Sequence, residues 1–162
     1  MEFVEEDSKV SIKATYTCSE KQTIKEYFLP RISQKTTTST IYQYHKNGGQ
    51  GVIAYVLDTG IYLQHSEFPA NRVFRGPSFV DGQQEDMQGH GTCCCGILGG
   101  KVYGAAKNVT LVWLKVLGDD EYGWDCDIIA AMNWAVDDIR VCKIFHWSPL
   151  SWLWSLFQKS AL

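Results

Sequence analysis

Val52-Ile53-Ala54-Tyr55-Val56-Leu57-Asp58-Thr59-Gly60 decides the fold, because an apolar run without alternation stops at an acid and a glycine. A short continuous run of this kind reads as a parallel strand buried on both faces, with Asp58 at its carboxyl end. Just upstream, Asn47-Gly48-Gly49-Gln50-Gly51 is a breaker cluster, and residues 33–40 form a hydroxyl-rich loop. Downstream, Val109-Thr110-Leu111-Val112-Trp113-Leu114-Lys115-Val116-Leu117 is a second strand of the same kind. Between the two lies Gly89-His90-Gly91-Thr92, after which Cys93 to Leu98 opens a helix. From Asp127 the period changes: Ile128, Ile129, Met132, Ala135, Val136 and Ile139 mark one helical face, with Asp125 or Asp127 available as its N-cap. Strand, glycine-rich turn, helix, strand, helix predicts an α/β fold with parallel strands. In such sheets chemistry gathers at the carboxyl ends of the strands, where Asp58 stands.

Composition bounds the function. The chain has 162 residues, enough for one domain or part of a larger one, and its 45% hydrophobic content can build a core. A net charge of −3 with no Lys/Arg cluster argues against a nucleic-acid partner, since phosphate neutralisation needs a basic surface. No apolar run approaches the ~18–20 residues of a membrane span. The acidic start, Met1-Glu2-Phe3-Val4-Glu5-Glu6-Asp7, lacks the basic and apolar regions of a signal peptide, and residues 1–14 alternate as an edge strand would. The six cysteines are Cys18, Cys93, Cys94, Cys95, Cys126 and Cys142. That is too few for a disulfide scaffold, and they do not settle the compartment. The sequon Asn108-Val109-Thr110 matters only in a secreted protein.

Two elements carry chemistry. An acid at a strand end can hold the tautomer of a histidine, and that imidazole can then act as general base toward a serine hydroxyl. Asp58 and His90 suit those parts, and the glycines flanking His90 allow close backbone approach. A second reading takes His90, Cys93, Cys94, Cys95, Cys126, Cys142 and His146 as zinc-type ligands. No Cys-x-x-Cys pair occurs, and adjacent cysteines on a helix point about 100° apart, so buried free thiols and no metal are the expectation.

The sequence also resembles the subtilisin-like serine proteases, in the proteinase K and cuticle-degrading branch. The resemblance rests on Leu29-Pro30-Arg31-Ile32-Ser33, Gly49-Gln50-Gly51, Tyr55-Val56-Leu57-Asp58-Thr59-Gly60-Ile61 and His65-Ser66-Glu67-Phe68. Gly89-His90-Gly91-Thr92, Tyr103-Gly104-Ala105-Ala106-Lys107-Asn108, Leu114-Lys115-Val116-Leu117 and residues 128–135 continue it in the family's order. It implies the N-terminal part of the subtilisin-like parallel-sheet fold, incomplete in this chain. It also implies a secreted, extracellular endopeptidase acting on proteins or peptides, with no specific partner. Asp58 would orient the imidazole, and His90 would be the base. Glu121-Tyr122-Gly123 would lie where the family pairs a strand edge with the substrate backbone, although Glu121 departs from the small residues usual there. Residues 1–18 would be the end of an inhibitory propeptide, 19–140 a partial peptidase domain and 141–162 a tryptophan-rich tail outside the family pattern.

Other departures bear on activity. Cys93 and Cys95 replace the family's His and Ala, while Cys94 matches its frequent free cysteine. The serines after His90 (148, 151, 155 and 160) are not in the family's Gly-Thr-Ser-Met-Ala context, so the nucleophile is absent from the chain. Most calcium ligands of the family would likewise fall beyond it, and no cofactor is expected. The tail, with three of the six tryptophans, is too short and polar to span a membrane and is broken by Pro149. The expectation is therefore a chain of protease descent, inactive alone. The alternative is a non-catalytic fragment acting as a binding protein, decoy or inhibitor.

Overall fold

The computed structural model describes residues 20–24, 28–35, 39–80 and 82–144. The edge strand expected in 1–14, the propeptide end expected in 1–18 and residues 145–162 of the segment read as tail lie outside them. The chain divides into two compact units, 1–48 and 49–162.

In the first unit, β1 (Glu20–Thr23) pairs antiparallel with β2 (Ile41–Tyr44), Glu20 facing Tyr44 and Thr23 facing Ile41. The short helix α1 (Phe28–Ser33) packs against β2. Ser33 Oγ accepts the Gln43 N–H at 3.1 Å, and Leu29 is buried.

The second unit holds β3 (Ile53–Asp58), β4 (Val73–Ser78), α2 (His90–Gly99), β5 (Thr110–Lys115) and α3 (Asp125–Ile144). The three strands form one parallel sheet in the order β3-β5-β4, which brings Asp58 opposite Lys115. This is the expected α/β arrangement. Alternate residues of β5 face two cores: Leu111 and Trp113 join Ile61, Phe68 and Cys95, and Val112 and Leu114 join Val116 and Ala131. Its unbroken apolar sequence is thus the signature of burial on both faces. β3, read the same way, is only half-buried along its length, because it lies at one edge of this sheet.

The structure also differs from the sequence reading in other elements. β4 has no counterpart in the sequence reading: Gly76-Pro77 breaks its pattern, and the register with β5 shifts between Arg75 and Ser78, as an edge strand tolerates. α2 begins at His90, three residues before the expected start, so the histidine opens the helix. In α3 the buried side is Ala131 and Ala135, with Ile128 and Trp134 packed beside them, while Ile129, Met132, Val136 and Ile139 are exposed. Asp125 and Asp127 are not its cap; they fall in its first turn, where the Asp127 N–H already donates to the Trp124 carbonyl. α3 continues to Ile144, into the segment read as tail. Among the described residues no helix is long and apolar enough to cross a membrane.

Candidate active site

Asp58 ends β3, and the chain then turns sharply through Thr59 and Gly60, whose φ of 115° is left-handed and suits glycine. The turn is tied down from beneath. Lys115 is fully buried, and its ammonium donates to the Thr59 carbonyl at 2.6 Å and to Asp119 Oδ1 at 2.9 Å. The Thr59 N–H donates to Asp58 Oδ1 at 2.7 Å.

Helix α2 brings His90 to that strand end. Gly91 permits the approach: a Cβ there would stand 2.2 Å from the Gly60 carbonyl oxygen and 3.2 Å from Asp58 Cβ. Any other residue would push the helix off the turn. His90 Nδ1 lies 2.8 Å from Asp58 Oδ1 and 2.9 Å from Oδ2. A carboxylate oxygen accepts, so Nδ1 donates in this contact, and in the neutral imidazole Nε2 then carries the lone pair. The His90 side chain is 60% exposed while that of Asp58 is 13% exposed, so the orienting acid is sheltered and the base is open. The hydrogen bond that His90 donates to Asp58 and then the negative charge of that carboxylate raise the His90 pKa above the ordinary 6.5, against an opposing effect of desolvation. More distant Glu121 and Asp86 push the same way.

The cysteines separate. Cys94 Sγ lies 3.8 Å from both ring nitrogens of His90. Burial, Asp58 and Cys93 raise its pKa, so it stays a thiol rather than the thiolate a Cys–His nucleophile needs. Cys95 is a buried free thiol, pushed by burial up to about 12. Cys93 and Cys126 are exposed, and Cys93, on α2, lines a groove with His65, Phe68 and Tyr103. Ligand atoms of Asp58, His90 and Cys94 lie within 4.8 Å of one another and could hold a metal ion, at the expense of the Asp58–His90 bond. Cys142 and His146, also named in the zinc reading, have side chains outside the described set.

Glu121-Tyr122-Gly123 belongs to a turn: the Gly118 N–H donates to the Tyr122 carbonyl at 2.7 Å, and the Glu121 N–H to the Gly118 carbonyl at 3.0 Å. Glu121 has φ 71° and accepts a hydrogen bond from the Gln88 amide, which links this turn to the residues just before α2. Tyr122 is exposed.

Sequence reasoning missed Asp86, Thr59, Thr92 and Gln88. Asp86 is buried, and it accepts from the Thr59 hydroxyl at 2.9 Å, the Gly89 N–H at 2.8 Å, the Thr92 N–H at 2.9 Å and the Thr92 hydroxyl. Burial alone would raise its pKa, but these hydrogen bonds outweigh it and leave the pKa lowered. Its one local signal is an acid shortly before a glycine-flanked histidine.

Residues 49–144 match the model of the Subtilase family. The chain is 34% identical over 140 residues to "Subtilisin-like protease 7" of Trichophyton tonsurans, covering 86% of this chain and 34% of that protein. It is 39% identical over 140 residues to "Subtilisin-like serine protease Pen ch 13.0101" of Penicillium rubens, with the same coverage. The crystal structure of a cold adapted subtilisin-like serine proteinase superposes with a TM-score of 0.62 at 34% identity, over 72% of this chain and 42% of that one. The chain spans about a third of the length of the curated relatives it matches.

Proposed function

The chain belongs to the subtilase family, and from that premise we propose that it supplies the acid and base of a serine-type endopeptidase. Asp58 fixes the ring and tautomer of His90 and stabilises the imidazolium. His90 Nε2 takes the proton from an attacking serine hydroxyl and returns it to the leaving amine. The observation that supports this most directly is the contact of Nδ1 with both oxygens of a sheltered carboxylate while the rest of the imidazole stays open.

No serine of the sequence stands in the family's nucleophile context, so no nucleophile is assigned, and these 162 residues alone are proposed not to hydrolyse peptides. Protein or peptide chains are the substrate class, and Glu121, Tyr122 and Gly123 are proposed to meet the substrate backbone. The family's extracellular setting is proposed for the parent protein. Residues 1–18 are proposed as a propeptide end, 19–140 as the peptidase part and 141–162 as outside the family pattern. No cofactor is assigned.

The acid–base pairing is tested by titrating His90 by NMR in the wild type and in Asp58→Asn. The midpoint should lie above 6.5 in the former and fall toward it in the latter; an unmoved midpoint would refute the pairing. A fluorophosphonate probe should leave the chain unlabelled, and covalent labelling would contradict its proposed inactivity.

A further inference from the structure

Helix α2 starts without a capping side chain of its own, since Gly89 sits at the N-cap with φ 98° and offers none. The first N–H groups of a helix have no intrahelical acceptor and need one from elsewhere. Here the acceptors come from three other residues. The His90 N–H donates to Gln88 Oε1 at 2.7 Å, the Gly91 N–H to Thr59 Oγ1 at 2.9 Å and the Thr92 N–H to Asp86 Oδ2 at 2.9 Å. Asp86 Oδ1 takes the Gly89 N–H and the Thr59 hydroxyl.

One carboxylate therefore binds the residue after Asp58 and residues on both sides of His90, with no hydrogen bond to Asp58 or His90 themselves. It lies beside the positive end of the helix dipole, and each oxygen accepts two donors, so its burial is compensated. The site is also tight, because Gly60 could not gain a Cβ without coming within 3.3 Å of Asp86.

We propose that Asp86 is a positioning residue for the acid–base pair: by tying Thr59 to the start of α2, its carboxylate sets the distance at which His90 meets Asp58. The inference rests on the pairing proposed above and assigns Asp86 no contact with substrate. Asparagine cannot replace the acid there. Its amide would point N–H groups at donors that include a backbone N–H, which cannot reverse its role.

The test is a double-mutant cycle on the full 162-residue chain, with wild type, Asp58→Asn, Asp86→Asn and the double variant. The readout is the His90 titration midpoint by NMR, its resonance assigned by its loss in His90→Gln. Asp86→Asn should lower the midpoint clearly more in the wild-type background than once Asp58 is already replaced, where only the small through-space effect of its charge remains. An equal shift in both backgrounds would reveal only the through-space charge of Asp86 and would overturn the proposal. So would an unmoved midpoint in a destabilised protein. If Asp58→Asn moves nothing, the acid–base reading fails and this inference with it; if only Asp86→Asn moves nothing, this inference fails alone. Should Asp86→Asn not fold, Thr59→Val removes the link on the strand side. It should lower the midpoint in the same direction while Thr59→Ser keeps the wild-type value, and a wild-type midpoint in Thr59→Val would overturn the proposal.

Discussion

The two long elements of the second unit, α2 and α3, are built on opposite principles. α3 carries local signals: aspartates in its first turn, a helical period of apolar residues and 20 residues of length. α2 has 10 residues, no acid in its first turn and a glycine at its cap, and its start is held by side chains reaching in from Thr59 and Asp86. The helix whose beginning depends on distant partners is the one that presents His90. A helix defined by its own sequence can be packed anywhere an apolar stripe fits. A helix begun by the end of β3 is registered against that end, which an acid–base pair requires.

The sharpest way to break this contrast is Gly91→Ala. Its new Cβ would overlap the Gly60 carbonyl, and relief demands backbone movement, so the cost should be about 3 kcal/mol or more in urea unfolding. Gly96→Ala, further along the same helix, meets nothing within 4 Å and should instead stabilise by about 0.5–1 kcal/mol. On α3 the corresponding test is which face is buried. Ala131→Leu, at a fully buried position, should cost about 1–3 kcal/mol. Met132→Gln, its 54% exposed neighbour, should change stability by no more than about 0.5 kcal/mol.

The smallest expected effect is in pH dependence, and it also separates the two carboxylates of the site. The Asp86 pKa is lowered on folding, so its contribution is complete above the ordinary value of 3.8 and is lost as pH falls through the lowered midpoint. The His90 pKa is raised, so the pair with Asp58 contributes fully below 6.5 and is lost as pH climbs through the folded midpoint. Urea midpoints measured across pH should therefore lose their acid-side slope in Asp86→Asn and their alkaline-side slope in Asp58→Asn.

Much of the fold was legible because its signals are local. The apolar run of β5 is buried on both faces, and Asp58 ends its strand where the run stops. β4 was hidden by Gly76 and Pro77, whose irregularity the sheet edge accommodates. On α3, the residues 128, 129, 132, 135, 136 and 139 share a helical period, but that period does not say which part of a broad apolar surface the sheet will cover. The Tyr55 hydroxyl donates to Asp138 at 2.5 Å, and the Tyr55 ring stands edge-on to Trp134, 6.4 Å between centroids. These contacts turn the helix so that Ile129 and Met132 face outward.

By itself, the sequence determined the residue types and their local frames: an acid at the end of an apolar strand and a histidine between glycines, in the order and spacing of a subtilase. Only the tertiary structure decided that two side chains 32 residues apart meet at 2.8 Å. It also decided that a third, Asp86, closes the gap between their elements. The physical reason is range. Strand and helix periods are written in near neighbours, whereas the hydrogen bonds that begin α2 are satisfied by whichever groups the packed sheet delivers to its end.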